Sequence, residues 1–263
     1  MVEKFNIAIA GATGNVGREI IQILEEKNFP VKNLFLLASS KSKGKKINFK
    51  GEDIVVKDLS KFDFSRTQIA LFSPGAKISA EFAPKAAKTG CIVIDNTSHF
   101  RMQEKIPLIV PEVNADVLEN FFNNKEKVNI IANPNCSTIQ MVVALKPLHD
   151  AAIINRIVVS TYQSVSGAGK DAMEELFNQT KNIYANENVE KNKFTKQIAF
   201  NVIPHVDSFV DNGNTKEEEK MINETKKILD PGIKISATCV RVPVFISHAE
   251  SINIEFDSSI SDA

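Results

Sequence analysis

Apolar residues fall along the chain in two rhythms that take turns. Short apolar runs of strand length occur at FNIAIA (5–10), NLFLLA (33–38), QIALFS (68–73), CIVIDN (91–96) and VNIIAN (128–133). Between them apolar positions recur at helical spacing. Val16, Ile20, Ile23 and Leu24 predict one face of a helix after the first run, and AEFAPKAAKTG (80–90) predicts a helix between the third and fourth. STIQMVVALKPLHD (137–150) repeats the pattern with Ile139, Val142, Val143, Leu145 and Leu148. Strands alternating with helices imply right-handed crossovers and a mostly parallel, doubly wound sheet, so the expected class is α/β with a Rossmann-like domain over 1–134. Further on, NIYANENVEKNKFTKQ (182–197) is the most polar stretch and predicts a surface excursion with a short helix. KEEEKMINETKKILD (216–230) reads as a charged amphipathic helix on which Glu217 and Lys220 share a solvated face.

The first strand runs into Gly11-Ala-Thr13-Gly14-Asn15-Val16-Gly17. Glycine lets the backbone turn tightly and approach a pyrophosphate, and the helix that follows offers amide donors and a positive dipole end. The same residues make a plain tight turn in other α/β proteins, but strand, glycines and helix stand here in the order that a dinucleotide site needs. Ser73 and Gly75, at the end of a later strand, are expected to line the same crevice. The second strand ends in Ser39, Ser40, Lys41 and Ser42, where an NAD site places an acidic residue for the ribose 2′-hydroxyl. Hydroxyls and cations there suit a 2′-phosphate, so the expected cofactor is NADP.

Composition narrows the field. A formal net charge of +0 leaves no electrostatic footprint for nucleic acid, and no apolar stretch approaches the length of a membrane helix. The N-terminal residues lack the features of a signal peptide, and three scattered cysteines, Cys91, Cys136 and Cys239, fit a reducing cytoplasm better than a disulfide framework. The four histidines and three cysteines show no metal-ligand spacing, so no metal is expected. Tyrosine-dependent dehydrogenase chemistry is excluded: four residues beyond Tyr162 and Tyr184, where that chemistry needs lysine, stand Ser166 and Asn188.

Cys136 lies between a strand and a helix, in ANPNCSTIQ (132–140). The helix dipole and amides there favour a thiolate and offer donors to an oxyanion. A cysteine so placed is otherwise a small buried hydrophobe, as Cys91 and Cys239 are read to be. A thiolate beside a nicotinamide suggests aldehyde chemistry through a thioester.

GATGNVG (11–17), DNTSHFR (95–101), VPEVN (110–114), NPNCSTIQ (133–140), STYQSVSGAGK (160–170) and ATCVRVPVFISHAES (237–251) together resemble the bacterial NADP-dependent aspartate-β-semialdehyde dehydrogenases, and the likeness runs the whole length of the chain. The resemblance implies a small-molecule substrate, a homodimer, and a second domain over 135–263 that is α+β with a mixed sheet and helices at 168–184 and 216–229. It makes Cys136 the acyl-thioester nucleophile, His248 the general acid/base and Gln163 the residue that orients the substrate. Arg241 then grips the substrate carboxylate, Glu217 faces its ammonium, and Arg101 and Lys220, with Asn135 nearby, hold phosphate. Ser166 and Gly167 pass close to the nicotinamide. Read without the family, Arg241 is equally a surface edge residue and Arg101 a loop decoration. Arg241 and His248 are seven residues apart, which in one regular strand puts them on opposite faces unless Pro243 and Ser247 break it. Glu217 and Lys220 read as solvent-exposed, and His99 and His205 receive no role.

Members of that family continue for several tens of residues past FDSSISDA (256–263). The resemblance therefore implies a missing C-terminal part, with a returning helix and a contact to the nicotinamide, and an apolar surface left uncovered. Two expectations follow, a working dehydrogenase or a catalytically impaired NADP-binding remnant.

Overall fold

A computed structural model of the chain describes residues 3–124 and 127–261; residues 1–2 and 262–263, the outer ends of the two expected domains, lie outside them. The chain divides into two compact units, Met1–Pro134 and Asn135–Ala263.

The first unit contains β1 (Phe5–Ala10), α1 (Asn15–Glu26), β2 (Val31–Ala38), β3 (Lys46–Phe49), β4 (Glu52–Val55), β5 (Lys57–Asp58), β6 (Ile69–Phe72), α2 (Ala76–Lys88), β7 (Ile92–Asp95), α3 (Pro111–Asn114), α4 (Val117–Asn123) and β8 (Ile130–Ala132). Six strands form one parallel sheet in the order β5-β2-β1-β6-β7-β8, the Rossmann-like arrangement. Strand order reverses between β1 and β6, and in such sheets ligands bind at the carboxyl ends flanking that reversal. Ile7, Ile9, Leu36, Phe72, Val93 and Ile130 are almost wholly buried, as parallel strands covered on both faces must be.

Local details depart from the sequence reading. The buried face of α1 is Gly17, Ile21 and Leu24, while Val16 and Ile23 are exposed. The reason is steric: a Cβ on Gly17 would lie 2.3 Å from the Gly11 carbonyl oxygen, so α1 is docked at that glycine and its phase is set there. The helix expected at 80–90 starts four residues earlier, at Ala76. Cys91 is buried immediately ahead of β7 rather than within it. The β3–β4 hairpin escaped the apolar pattern. Its two-residue loop, Lys50-Gly51, takes φ 52° and 83°, the geometry that matches strand twist in tight hairpins.

The second unit contains α5 (Cys136–Ala152), β9 (Ile154–Gln163), α6 (Lys170–Tyr184), α7 (Lys216–Ile228), β10 (Lys234–Arg241) and β11 (His248–Phe256). β9 is central, parallel to β10 and antiparallel to β11, so this small sheet is mixed. One face, with Ile157, Val159 and Cys239, packs against Met141 and Leu145 of α5 and Met221 of α7. Val143 of α5 is exposed, and the buried stripe runs through Thr138, Met141, Val142, Leu145 and His149. No separate short helix forms within 185–197; α6 ends at Tyr184 and the following excursion is irregular. Glu175 holds that excursion by accepting backbone N–H bonds from Asn192 and Lys193, and Gln179 by accepting those of Ile198 and Ala199. No helix among the described residues is long and apolar enough to cross a membrane.

Candidate active site

In the first unit, β1 ends at Ala10 and the chain turns at Gly11, with φ 87°. A Cβ at Gly11 would meet the Ser73 carbonyl at 2.8 Å, so only glycine lets the β1 and β6 ends approach so closely. Gly14 stands at the N-cap of α1 and Gly75 at the N-cap of α2, and neither helix is closed by a capping side chain. Two helix N-termini thus open beside the strand reversal, next to Thr13, Asn15, Val16 and Ser73, where backbone amides and dipoles suit a pyrophosphate. Space at Gly75 is clear of any atom within 4 Å of a notional Cβ. Ser39, Ser40, Lys41 and Ser42 form a short turn at the end of β2, with Ser39, Ser40 and Lys41 exposed. This cradle fits a nicotinamide dinucleotide. Arg101, also in this unit, is buried and donates from Nη2 to the Asn96 carbonyl at 3.0 Å.

The second unit gathers the remaining candidates. Cys136 is the first residue of α5 and is exposed. Asn135 is the N-cap; its Oδ1 accepts from the amides of Ser137 at 2.9 Å and Thr138 at 3.4 Å. Two of the amides expected to be open to an oxyanion are therefore already engaged. The Asn135 amide nitrogen donates to Glu217 Oε1 at 2.9 Å, and its backbone N–H to Glu224 Oε2 at 2.6 Å. Both ends of the Asn135 side chain are thus held within the protein, and α7 fixes the loop that presents Cys136.

Glu217 is the hub. Its Oε1 accepts from Asn135 and, at 3.3 Å, from Gln163 Nε2, and its Oε2 pairs with Lys220 Nζ at 3.0 Å. Lys220 also pairs with Asp207 at 3.0 Å. Burial pushes the Glu217 carboxyl up, but the Lys220 charge and three side-chain hydrogen bonds outweigh it and leave its pKa lowered. Burial likewise pulls Lys220 down, and its two carboxylates raise it on balance. Both stay charged at neutral pH. The solvated face expected for them is not found: Glu217 is 6% exposed, because Glu217, Glu218, Met221, Glu224 and Ile228 fall on the inward stripe of α7.

Arg241 and His248 flank Gln163. Arg241 pairs with Gln163 in the parallel register and His248 pairs with it in the antiparallel register, so all three side chains share one sheet face. The strand does break between them, with Ser247 at φ 82°. Arg241 is buried and donates from Nη1 to the Ser164 carbonyl at 2.6 Å. Its desolvated charge is held within reach of Glu217 and Cys136. The Ser164 N–H donates to His248 Nδ1 at 3.0 Å, which assigns Nδ1 as acceptor and leaves the proton on Nε2 in the neutral ring. Burial lowers the His248 pKa below 6.5; the Ser247 carbonyl opposes this and the Arg241 charge adds to it. Gly167 abuts the pair: a Cβ there would lie 3.3 Å from Arg241 Nη1 and 3.7 Å from His248 Nε2. Ser166 bonds Ser164, hydroxyl to hydroxyl, at 2.9 Å.

Sequence reading passed over Ser164 and Glu224, which orient His248 and the Cys136 loop. Glu224 had a signal, since it lies seven residues from Glu217 on a helix and so on the same face. Ser164 acts through its backbone and had none. Among the described residues no group of His, Cys, Asp and Glu is arranged to hold a metal.

The chain is similar to known proteins along nearly its whole length. Residues 6–121 match the family model described as semialdehyde dehydrogenase, NAD binding domain, and residues 145–263 match semialdehyde dehydrogenase, dimerisation domain. The chain is 55% identical over 256 residues to aspartate-semialdehyde dehydrogenase 2 of Vibrio cholerae, covering 97% of this chain and 75% of that one. It is 55% identical over 260 residues to the Aquifex aeolicus aspartate-semialdehyde dehydrogenase, covering 98% and 75%. The crystal structure of the V. cholerae enzyme II complexed with ASA superposes with TM-score 0.95 at 54% identity, over 98% of this chain and 76% of that one.

Proposed function

Because the chain belongs to the aspartate-semialdehyde dehydrogenases, we propose that it reduces L-aspartyl-4-phosphate to L-aspartate-4-semialdehyde with NADPH, through a thioester on Cys136. The reverse reaction is the phosphate-dependent oxidation of the aldehyde. The route served is that to lysine by way of diaminopimelate, threonine and methionine, in the cytoplasm, where a thiol nucleophile stays reduced. Residues 1–134 are the NADP-binding domain and 135–263 the catalytic and dimerisation domain.

The observation that carries this reading is the line Arg241–Gln163–His248 across one sheet face, with Cys136 at the start of the helix packed on that face. The Cys136 thiolate adds to the acyl carbon; the bond to the phosphate oxygen breaks and phosphate leaves with the electron pair. A dinucleotide held at Gly11, Gly14 and Gly75 would supply the hydride that reduces the thioester. His248 protonates the resulting oxygen, then takes that proton back as the carbon–sulfur bond breaks and the pair returns to sulfur. Arg241 holds the substrate α-carboxylate in a forked pair of bonds, Glu217 faces the α-ammonium, and Lys220 and Arg101 bind phosphate. Gln163 orients the substrate. Asn135 serves through the helix cap and its bond to Glu217. Hydroxyls and Lys41 at the end of β2, with no carboxylate in residues 38–46, support NADP over NAD. The outward face of the small sheet carries Val158, Ser160, Tyr162 and Val240, and Tyr162 is 43% exposed, which supports its use as a homodimer surface.

The test is to supply aspartate semialdehyde with NADP⁺ or NAD⁺, with and without phosphate. Steady reduction is expected with NADP⁺ and phosphate. Without phosphate, one equivalent should form and stop, leaving the Cys136 peptide acylated by mass spectrometry. Phosphate-independent turnover would end the thioester reading.

Gly167→Ala gives a second check. Gly167 has no left-handed φ, so alanine folds without strain, but its methyl presses on Arg241 Nη1. Thermal stability should hold within ~1 kcal/mol, while kcat/KM for the semialdehyde drops roughly tenfold through misplacement of Arg241. Unchanged kinetics would remove Gly167 from the site.

A further inference from the structure

One wholly buried carboxylate of the first unit has no part in the reaction as described. Asp95 is the last residue of β7, at the carboxyl end of the parallel sheet, and no part of it reaches solvent. Its side chain accepts three bonds. Oδ1 takes the Ser79 hydroxyl at 2.6 Å and the Thr97 N–H at 3.2 Å, and Oδ2 takes the Thr97 hydroxyl at 2.8 Å. Burying a carboxylate is costly unless donors replace its water, and these three do so. An apolar side chain would fill the same core position without that cost, so the acid is explained by what it holds.

What it holds is the turn that leads to Arg101. The chain leaving β7 is pinned at Asn96, whose N–H donates to the Phe72 carbonyl at 2.8 Å and whose Oδ1 accepts from Asn133 Nδ2 at 3.2 Å. At the next residue the hold passes to Asp95, which takes both the N–H and the hydroxyl of Thr97. The Asn96 carbonyl and the Thr97 N–H belong to one planar peptide unit, and in its trans form they point in opposite directions. Arg101 Nη2 donates to that carbonyl at 3.0 Å, while Asp95 grips the N–H at the other end. The plane cannot turn to release one bond without straining the other. A carboxylate on the N–H also leaves more negative charge on the carbonyl oxygen, which strengthens the bond to the guanidinium.

We propose that Asp95 is a positioning residue for phosphate: through the Asn96–Thr97 peptide it fixes the direction in which Arg101 presents its guanidinium. The proposal rests on the reading of Arg101 as a phosphate ligand. Ser79, the third donor, lies in the first turns of α2, the helix whose N-terminus at Gly75 belongs to the dinucleotide cradle. One carboxylate oxygen, Oδ1, thus serves both the cofactor helix and the phosphate arm.

A selective effect follows. In the oxidative direction the thioester forms and hydride leaves before phosphate takes part. Phosphate enters only at release, when its oxygen bonds to the acyl carbon, the carbon–sulfur bond breaks and the pair returns to sulfur. Loss of Asp95 strikes that last step and spares the earlier ones.

The experiment mixes aspartate semialdehyde and NADP⁺ with the wild-type chain, Asp95→Ala, Asp95→Asn and Thr97→Val, first without phosphate and then across a phosphate series. Asp95→Ala should raise the KM for phosphate about tenfold, while the rate and amplitude of the single NADPH equivalent formed without phosphate stay within about twofold of wild type. Asp95→Asn keeps an oxygen for the Ser79 hydroxyl and the Thr97 N–H, and should bring the phosphate KM back to within about twofold of wild type. Thr97→Val loses the bond to Oδ2 but keeps the peptide N–H, and should raise the phosphate KM about threefold with the first equivalent unchanged. It decides the matter where the alanine variant does not fold. An unmoved phosphate KM in Asp95→Ala, or in Thr97→Val where alanine does not fold, overturns the proposal. So does a first equivalent that falls in step with phosphate turnover, since Asp95 would then only hold the unit together. Failure of the parent reading shows separately, as an Arg101→Leu variant whose phosphate KM equals that of wild type.

Discussion

Cys136→Ser gives a chain that folds and binds dinucleotide yet loses phosphate-dependent reduction by at least ~10⁴-fold in kcat. The variant removes the one group able to carry an acyl group as a thioester. A serine hydroxyl needs a base to take its proton, and Nδ1, the acceptor nitrogen of the neutral His248 ring, is already bound by the Ser164 N–H. The helix is capped by Asn135, and Cys136 itself is exposed, so the melting temperature should move by less than ~2 °C. A thiol reagent should label one site in the folded wild type and none in the variant. Cys91 and Cys239 are buried, and burial raises the pKa of both. Serine activity above ~1% of wild type would mean that the chemistry does not pass through this atom.

The residues that local pattern placed well are those whose environment is local. Strand, glycine turn and helix at 5–26 were legible because Gly14 and Gly17 answer to the backbone of Gly11 within the same segment. Cys136 was legible because a strand and an Asn-capped helix bracket it. The phase of α1 was misjudged because Val16 and Ile23 look as apolar as Ile21, and only the Gly17–Gly11 contact says which way the helix rolls. Glu217 failed for a different reason. Its buried partners, Asn135 and Gln163, stand 82 and 54 positions away, so the charged face of α7 looked solvated until the chain closed on it. The helical phase of Glu217, Met221, Glu224 and Ile228 held the warning, since two carboxylates share a stripe with two core residues. Arg241 and His248 could not be put on one face from spacing alone. What unites them is that separate strands bring each beside Gln163, one parallel and one antiparallel, and that register is invisible to any local window.

His248→Asn should lower kcat by 10²–10⁴-fold in both directions while leaving the backbone around the site intact. The choice of asparagine follows from the hydrogen bonds. Its Oδ1 falls near the place of Nδ1 and accepts the Ser164 N–H, so the turn that also presents the Ser164 carbonyl to Arg241 stays satisfied. What is lost is Nε2, the atom nearest Gly167 and the one able to pass a proton to the substrate oxygen. The pH profile separates this role from a structural one. Burial and the Arg241 charge lower the His248 pKa from its ordinary 6.5, so the ring is neutral at neutral pH. In the oxidative direction the wild-type acidic limb should therefore have its midpoint below 6.5, the ordinary value of the group. That limb should vanish in the asparagine variant, while the KM for the semialdehyde changes little because Arg241, the proposed carboxylate ligand, is left in place. In the reductive direction the imidazolium would be the acid, and wild-type rates should climb as pH falls toward the same midpoint. An acidic limb that survives with its midpoint unmoved would assign the proton to another group, and His248 would then be only part of the wall.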